Sequence, residues 1–153
     1  MNYFPLHVHS TYSLQRSIIQ PDALAKKCKS LGFTGATLTD YNSVSGVVPF
    51  VKACKKEGLK WILGTEFNVV ANAADFTYQS IYHNIVLARN LQGWKNLMKL
   101  ISLSNVSFWF REPRIDLANL NGADLVGISG YFGSDLSAAL FTNPDLAYRA
   151  KVS

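Results

Sequence analysis

Two helical stretches of similar length, each stopped by a glycine and each followed by a short apolar strand, restrict this chain to a layered α/β fold. Pro21 opens the first helix where its missing N–H is not needed. Leu24, Cys28 and Leu31 recur at helical spacing, and Gly32 supplies the stop. Phe33 to Asp40 then reads as a buried strand. Ser43 or Asn42 is placed to cap a second helix with the stripe Val47, Val51 and Cys54, ending at Gly58. Lys60 to Gly64 is the next strand, ending just before Thr65, Glu66 and Phe67. After a linking stretch from Ala71 to Ser80, Ile81 to Ala88 is a further strand, and Trp94, Leu97, Met98 and Ile101 mark a third amphipathic helix. Another strand is expected at the start of the chain, where the apolar opening Met1 to Leu6 runs into His7-Val8-His9-Ser10. Helical segments are expected from Ser134 to Phe141 and again from Asn143-Pro144-Asp145. Units of this length predict parallel strands joined by right-handed crossovers.

Composition narrows the class. At 153 residues the chain is long enough for one domain with a real core, and 48% hydrophobic with 16% charged residues is the balance of a globular protein. No apolar run approaches the roughly 18 residues of a membrane span, and the N-terminus lacks a basic segment followed by a hydrophobic one. No membrane partner and a cytoplasmic location are therefore expected. Cys28 and Cys54, at similar places in successive helices, read as small core residues and not as a disulfide. The net charge of +5 invites a nucleic-acid reading. However, Lys26, Lys27 and Lys29 on one helix and Lys52, Lys55 and Lys56 on the next are accounted for as solvated helix faces.

The polar residues carry a pattern of their own. Side chains two apart on a strand share a face, so His7 and His9 project side by side, which suits two imidazoles sharing one ion. Asp40, Glu66 and His83, the last of only three histidines, also fall in or just beyond strands. In parallel α/β folds, sites form at the C-terminal ends of the strands. Imidazoles with a carboxylate suit zinc, manganese or iron, and Glu66 can bridge two ions. Two bridged ions would stabilise the attacking and leaving oxygens in phosphoester hydrolysis. Taken singly, Glu66 reads as a surface carboxylate and Asp40 as the cap of the helix after it; the histidines favour the metal reading. Tyr12 and Ser13 belong to the loop over this rim, and Ser10 is placed to orient one imidazole.

His7-Val-His9-Ser10 with Tyr12-Ser13-Leu14, then Leu38-Thr39-Asp40, Gly64-Thr65-Glu66-Phe67, and His83 followed by Asn96 to Ser102, resembles the PHP (polymerase and histidinol phosphatase) domain. More closely, the chain is similar to the version at the N-terminus of the bacterial DNA polymerase III alpha subunit, which Lys52 to Lys60, Arg114-Ile115-Asp116 and Ile128-Ser129-Gly130 also support. The resemblance implies a distorted seven-stranded β/α barrel with up to three metal ions at its rim. It also implies phosphoesterase chemistry, linked in the polymerases with proofreading or retained as a platform. His7 and His9 match first-metal ligands, Glu66 the bridging carboxylate and His83 a second-metal ligand. Three positions depart from the pattern. Arg16 stands at or beside an expected acidic residue, Tyr41 replaces a histidine and Tyr131 replaces a cysteine. Arg16 and Tyr41 occupy third-metal positions, where a guanidinium repels a cation. The resemblance therefore implies one or two weakly held ions, zinc or manganese, or a vestigial site with none.

The family's last motif, an aspartate and histidine two apart, is absent, and only five or so of the seven β/α units are expected. The chain then reads as a single PHP domain over residues 1–153, comprising its N-terminal portion. It would be a piece of a longer polymerase or a divergent, phage-borne relative. Three functions follow. The first is an N-terminal module of a replicative polymerase, acting in DNA replication as a structural and interaction platform. Its partners would be the remainder of the alpha subunit, the proofreading exonuclease subunit and, indirectly, DNA. The second is an independent metal-dependent phosphoesterase. The third, ranked last, is a nucleic-acid module using the lysine-rich helices with Trp94, Trp109 and Phe110. For Trp109 and Phe110, burial within the domain is the plainer expectation.

Overall fold

The computed structural model describes residues 3–120 and 122–142. Helix α1 (Pro21–Ser30) carries Pro21 in its first turn and ends where Gly32 takes a left-handed φ of 73°. Strand β1 (Gly35–Tyr41) follows, then α2 (Val47–Glu57), closed by Gly58 at φ 67°. Both glycines sit where a side chain would be strained. Next come β2 (Lys60–Val70), β3 (Tyr82–Ala88) and α3 (Leu91–Ser102), which runs on into a π-helical turn, Leu103–Ser107. Strands β4 (Ile115–Asp116) and β5 (Leu125–Ser129) and helix α4 (Asp135–Thr142) complete the described chain.

The strands form one sheet in the order β1-β2-β3-β5, with β4 beside the far end of β2. Strand β1 runs parallel to β2, as the helical crossover α2 requires, and β4 is parallel to β2 as well. Strand β3 is antiparallel to both of its neighbours, which corrects the expectation of an all-parallel sheet. No helix lies between β2 and β3, so the chain simply turns back, and a direct return gives antiparallel pairing.

Other sequence expectations shift locally. Strand β2 runs past Gly64 to Val70. The N-cap of α2 is Gly46, not Ser43 or Asn42. A Cβ on residue 46 would collide with the Asp40 carboxylate and the Ser10 hydroxyl, so only glycine fits there. The His7 to Ser10 segment is extended but is not a strand of the sheet. Its Val8 carbonyl accepts from Thr39 N at 2.8 Å, and Val8 N donates to the Thr39 hydroxyl at 2.9 Å, so the side chain replaces the next rung of a ladder. The helix expected from Asn143 lies outside the described residues.

The sheet has two unlike faces. On one, Ala36 and Leu38 pack against Leu24, Cys28, Phe50 and Cys54 of the two helices. Farther along the same face, Phe67, Val69 and Val86 pack against Leu97 and Leu100 of α3, and Trp94 touches both clusters. Phe50 and Leu38 are fully buried, each stabilising the fold by about 1.5–3 kcal/mol. Both cysteines are free and buried, as their spacing predicts, and burial, then the neighbouring Cys28 thiol, pushes Cys54 up to about 11. The other face carries Thr37, Thr39, Tyr41, Glu66, Asn68 and His83, paired across the strands as Tyr41 with Glu66 and Asn68 with His83. Sheet alternation thus separates an apolar, helix-covered side from a polar one.

Asp116 ties the linker between β2 and β3 to this frame. Its carboxylate accepts from Ala73 N at 3.0 Å, Asn119 N at 2.9 Å and the Asn119 amide at 2.7 Å. Burial alone would raise its pKa, but these N–H donors outweigh it and hold it below 3.8. A depressed folded pKa contributes stability above the unfolded value that is lost as pH falls through the folded one. Asp116→Ala is expected to destabilise the chain by about 1–3 kcal/mol at pH 7. Thermal melts should show the gap between variant and wild type narrowing below about pH 4.

Candidate metal centre

Glu66 stands in the middle of the polar face with no exposed surface. Its Oε2 lies 2.5 Å from His7 Nε2 and 2.8 Å from His9 Nε2, and the two imidazole nitrogens are 3.2 Å apart. The rings lie 5.0 Å apart, so the H-x-H segment presents both imidazoles on one side, as its spacing predicts. Burial pushes the Glu66 pKa up, but hydrogen bonds from His7 and His9 and their charge outweigh it and bring it down to about 2. The carboxylate is therefore ionised at neutral pH. Donor atoms of His7, His9 and Glu66 all lie within 4.8 Å of one another, a grouping able to hold a metal ion.

His83 reaches the same place from the start of β3. Because β3 is antiparallel, its N-terminal end meets the C-terminal half of β2, and His83 Nδ1 lies 3.3 Å from Glu66 Oε1. Both atoms are buried, yet neither makes a hydrogen bond among the described residues. Burial, helped by Arg16 and His7, keeps His83 below 6.5 against the pull of Glu66 and Glu112. A neutral imidazole facing an ionised carboxylate without a shared proton is a donor set that a divalent cation would complete.

The remaining predicted residues surround this core. Asp40, 1% exposed, accepts from Ser10 N at 2.7 Å, from the Ser10 hydroxyl at 2.8 Å and from the Ser13 hydroxyl at 2.7 Å. It neither caps α2 nor joins the donor cluster; it fixes the loop that follows His9. Ser10 likewise spends its hydroxyl on Asp40 and not on an imidazole. Arg16 lays its guanidinium over the Tyr41 ring, 3.5 Å from the centroid. Burial, then the charge of Glu112, pushes Tyr41 up to about 12, so the phenol stays protonated and is a poor ligand. Tyr131 stacks on both His7 and His83, at 6.3 and 5.7 Å, nearly parallel to each. Beside them a cleft of about 290 Å³ is lined by His7, His9, Arg16 and Ser17.

Two residues of this rim were not read from the sequence. Asn68 accepts from the Tyr41 hydroxyl and donates to Glu112 Oε2 at 2.7 Å, and the same Glu112 oxygen accepts from Tyr41 at 3.3 Å. Asn68 could have been found two residues beyond Glu66 had β2 been extended, whereas Glu112 arrives from a loop with no periodicity to read. In that loop Trp109 is 53% exposed, which corrects its expected burial.

The chain matches the PHP domain family over residues 5–152 and belongs to it. Curated relatives include the DNA polymerase III subunit alpha of Treponema pallidum, 38% identical over 76% of this chain and 10% of that protein. The same subunit of Chlamydia pneumoniae is 30% identical over 95% of this chain and 12% of that protein. The chain thus spans about a tenth of the length of the curated relatives it matches. Among solved structures, an amidohydrolase from Chromobacterium violaceum with bound sulfate superposes with a TM-score of 0.50 at 17% identity. It covers 67% of this chain and 33% of that one, a likeness of fold. Among the described residues no helix is long and apolar enough to cross a membrane.

Asp40→Ala would strand the Ser10 and Ser13 donors in a buried place. It is expected to lower stability by about 1–3 kcal/mol. Asp40→Asn, which keeps one acceptor, should cost less; urea denaturation midpoints of the two variants test this.

Proposed function

We propose that this chain is the N-terminal portion of the PHP domain of a replicative DNA polymerase alpha chain. In DNA replication it serves mainly as a structural and interaction platform, with a partly degenerate divalent-metal site. The observation that carries this reading is the contrast between two halves of one rim. His7, His9 and Glu66 converge on a shared point with His83 beside them, while Arg16 stacked on Tyr41 puts a fixed cation and a neutral phenol alongside. The first half suits an ion; the second does not.

In this reading His7, His9 and Glu66 hold the ion and His83 joins through its free Nδ1. Imidazole and carboxylate donors accommodate zinc or manganese, one or two ions in all. A bound ion would act as a Lewis acid toward a phosphoester oxygen. Glu66 stays ionised to receive it, and Asp40 steadies the loop that presents His9. Phosphoester hydrolysis by the chain itself ranks second. Tyr131 stacks over two of the donors and takes the place of an anionic thiolate ligand. The partners that follow are the remainder of the polymerase alpha chain, its proofreading exonuclease subunit and DNA through them. A cytoplasmic location follows from the same role.

Metal content of the purified chain after exposure to zinc and manganese, read by elemental mass spectrometry, tests the site. One or two ions are expected, lost in His7→Ala/His9→Ala and retained in Lys27→Ala. No ion in the wild type would overturn the metal reading. Phosphate release from p-nitrophenyl phosphate that disappears in the double variant would move the phosphoesterase to first place.

A further inference from the structure

The loops at residues 71–81 and 108–114 meet in an alternating stack of rings and guanidinium groups. Arg111 lies 5.8 Å from the ring centroids of both Tyr78 and Phe110. Arg114 lies 4.8 Å from Phe110 and 5.5 Å from Phe76. The order is therefore Tyr78, Arg111, Phe110, Arg114, Phe76. The inner part of the stack has a structural job. Arg114 is 2% exposed and donates to the carbonyls of Asp75, Thr77 and Ala73, pinning one loop to the other.

The outer part does more than that job requires. Tyr78 is 80% exposed, Phe76 53%, and Arg111 is exposed as well. Tyr78, Phe110 and Arg111 also border a cavity of about 180 Å³. Among the described residues Arg111 forms no salt bridge, so its exposed charge is not matched locally. Glu112, next to it in sequence, turns its carboxylate inward to Asn68 and Tyr41. Exposed rings that accept any base face, with the exposed guanidinium of Arg111 between Tyr78 and Phe110, are the chemistry that holds a single strand of nucleic acid.

Position adds a second argument. Glu112 links the stack to Tyr41, Tyr41 lies under Arg16, and Arg16 shares the 290 Å³ cleft with His7 and His9. We propose that Tyr78, Arg111, Phe110 and Phe76 form a docking platform for single-stranded DNA, with Arg16 the next cation along a path to the histidine–glutamate cluster. The choice of DNA rests on the polymerase reading; stacking and charge do not. A lone-strand ligand is favoured over duplex because paired bases hide their faces inside the helix. The lysines of α1 and α2 play no part, since those helices cover the opposite face of the sheet.

The test is fluorescence anisotropy of a labelled oligodeoxythymidine of about 12 nucleotides with the 153-residue chain at low salt, with and without EDTA. Tyr78→Ala is expected to weaken binding about tenfold, while Tyr78→Trp retains it. Arg111→Gln should weaken binding and flatten its salt dependence. Lys27→Ala/Lys56→Ala should change little. Both tested side chains are exposed, so circular dichroism should show each variant folded. Equal binding by the Tyr78 variants, loss confined to the lysine variant, or equally tight binding of duplex would each overturn the proposal. No binding at low salt would overturn it too and leave the exposed rings to a protein partner. Persistence of binding in EDTA is expected, so failure of the metal site and failure of the platform are read separately.

Discussion

A carboxylate with no exposed surface, set in the middle of a sheet, has to be met by donors from elsewhere in the chain, and Glu66 imposes that demand here. His7 and His9 come from a segment outside the sheet, held to β1 around Val8 and Thr39 and again where Ser10 meets Asp40. His83 comes from the neighbouring strand. Removing the charge would leave this extended segment with far less reason to lie where it does. A second buried carboxylate, Asp40, works the same way one step along, drawing in Ser10 and Ser13. From Ser10 to Ser13 the chain is thus fastened to the sheet by polar contacts, whereas the helices are fastened by apolar ones.

The parts of the fold that were legible in the sequence are those decided locally. Pro21, Gly32 and Gly58 mark helix ends because their own backbone preferences act within a turn, and the structure places the ends there. His7, His9, Glu66 and His83 were legible as a set through a motif whose order in the chain is specific. The direction of β3 was not, because it depends on what fills the connection before it, and an irregular stretch of eleven residues carries no sign of strand sense. Ser10 shows a subtler limit. Its neighbourhood was foreseen, but between two nearby acceptors the buried carboxylate of Asp40 took the hydroxyl, which no spacing rule could decide. Glu112 came from a loop with no pattern at all.

The rim sets a cluster of donor atoms beside a flank that contains a fixed cation. Arg16 brings a permanent positive charge to this flank, held in place by the face of Tyr41 and felt by His83. Asn68 fills the space between Tyr41 and Glu112 with hydrogen bonds that need no ion. The donors around Glu66 remain grouped while this flank is organised by side chains alone.

The reversed direction of β3 has a consequence for how the chain tolerates change in length. His83 is placed by its pairing with Asn68, not by how the preceding loop travels. Residues can therefore be added to or lost from the 71–81 connection while the imidazole keeps its address. A single-residue shift within β3 would instead turn that imidazole to the helix-covered side. Insertions and deletions should thus accumulate in the connection, and the strand should keep its length.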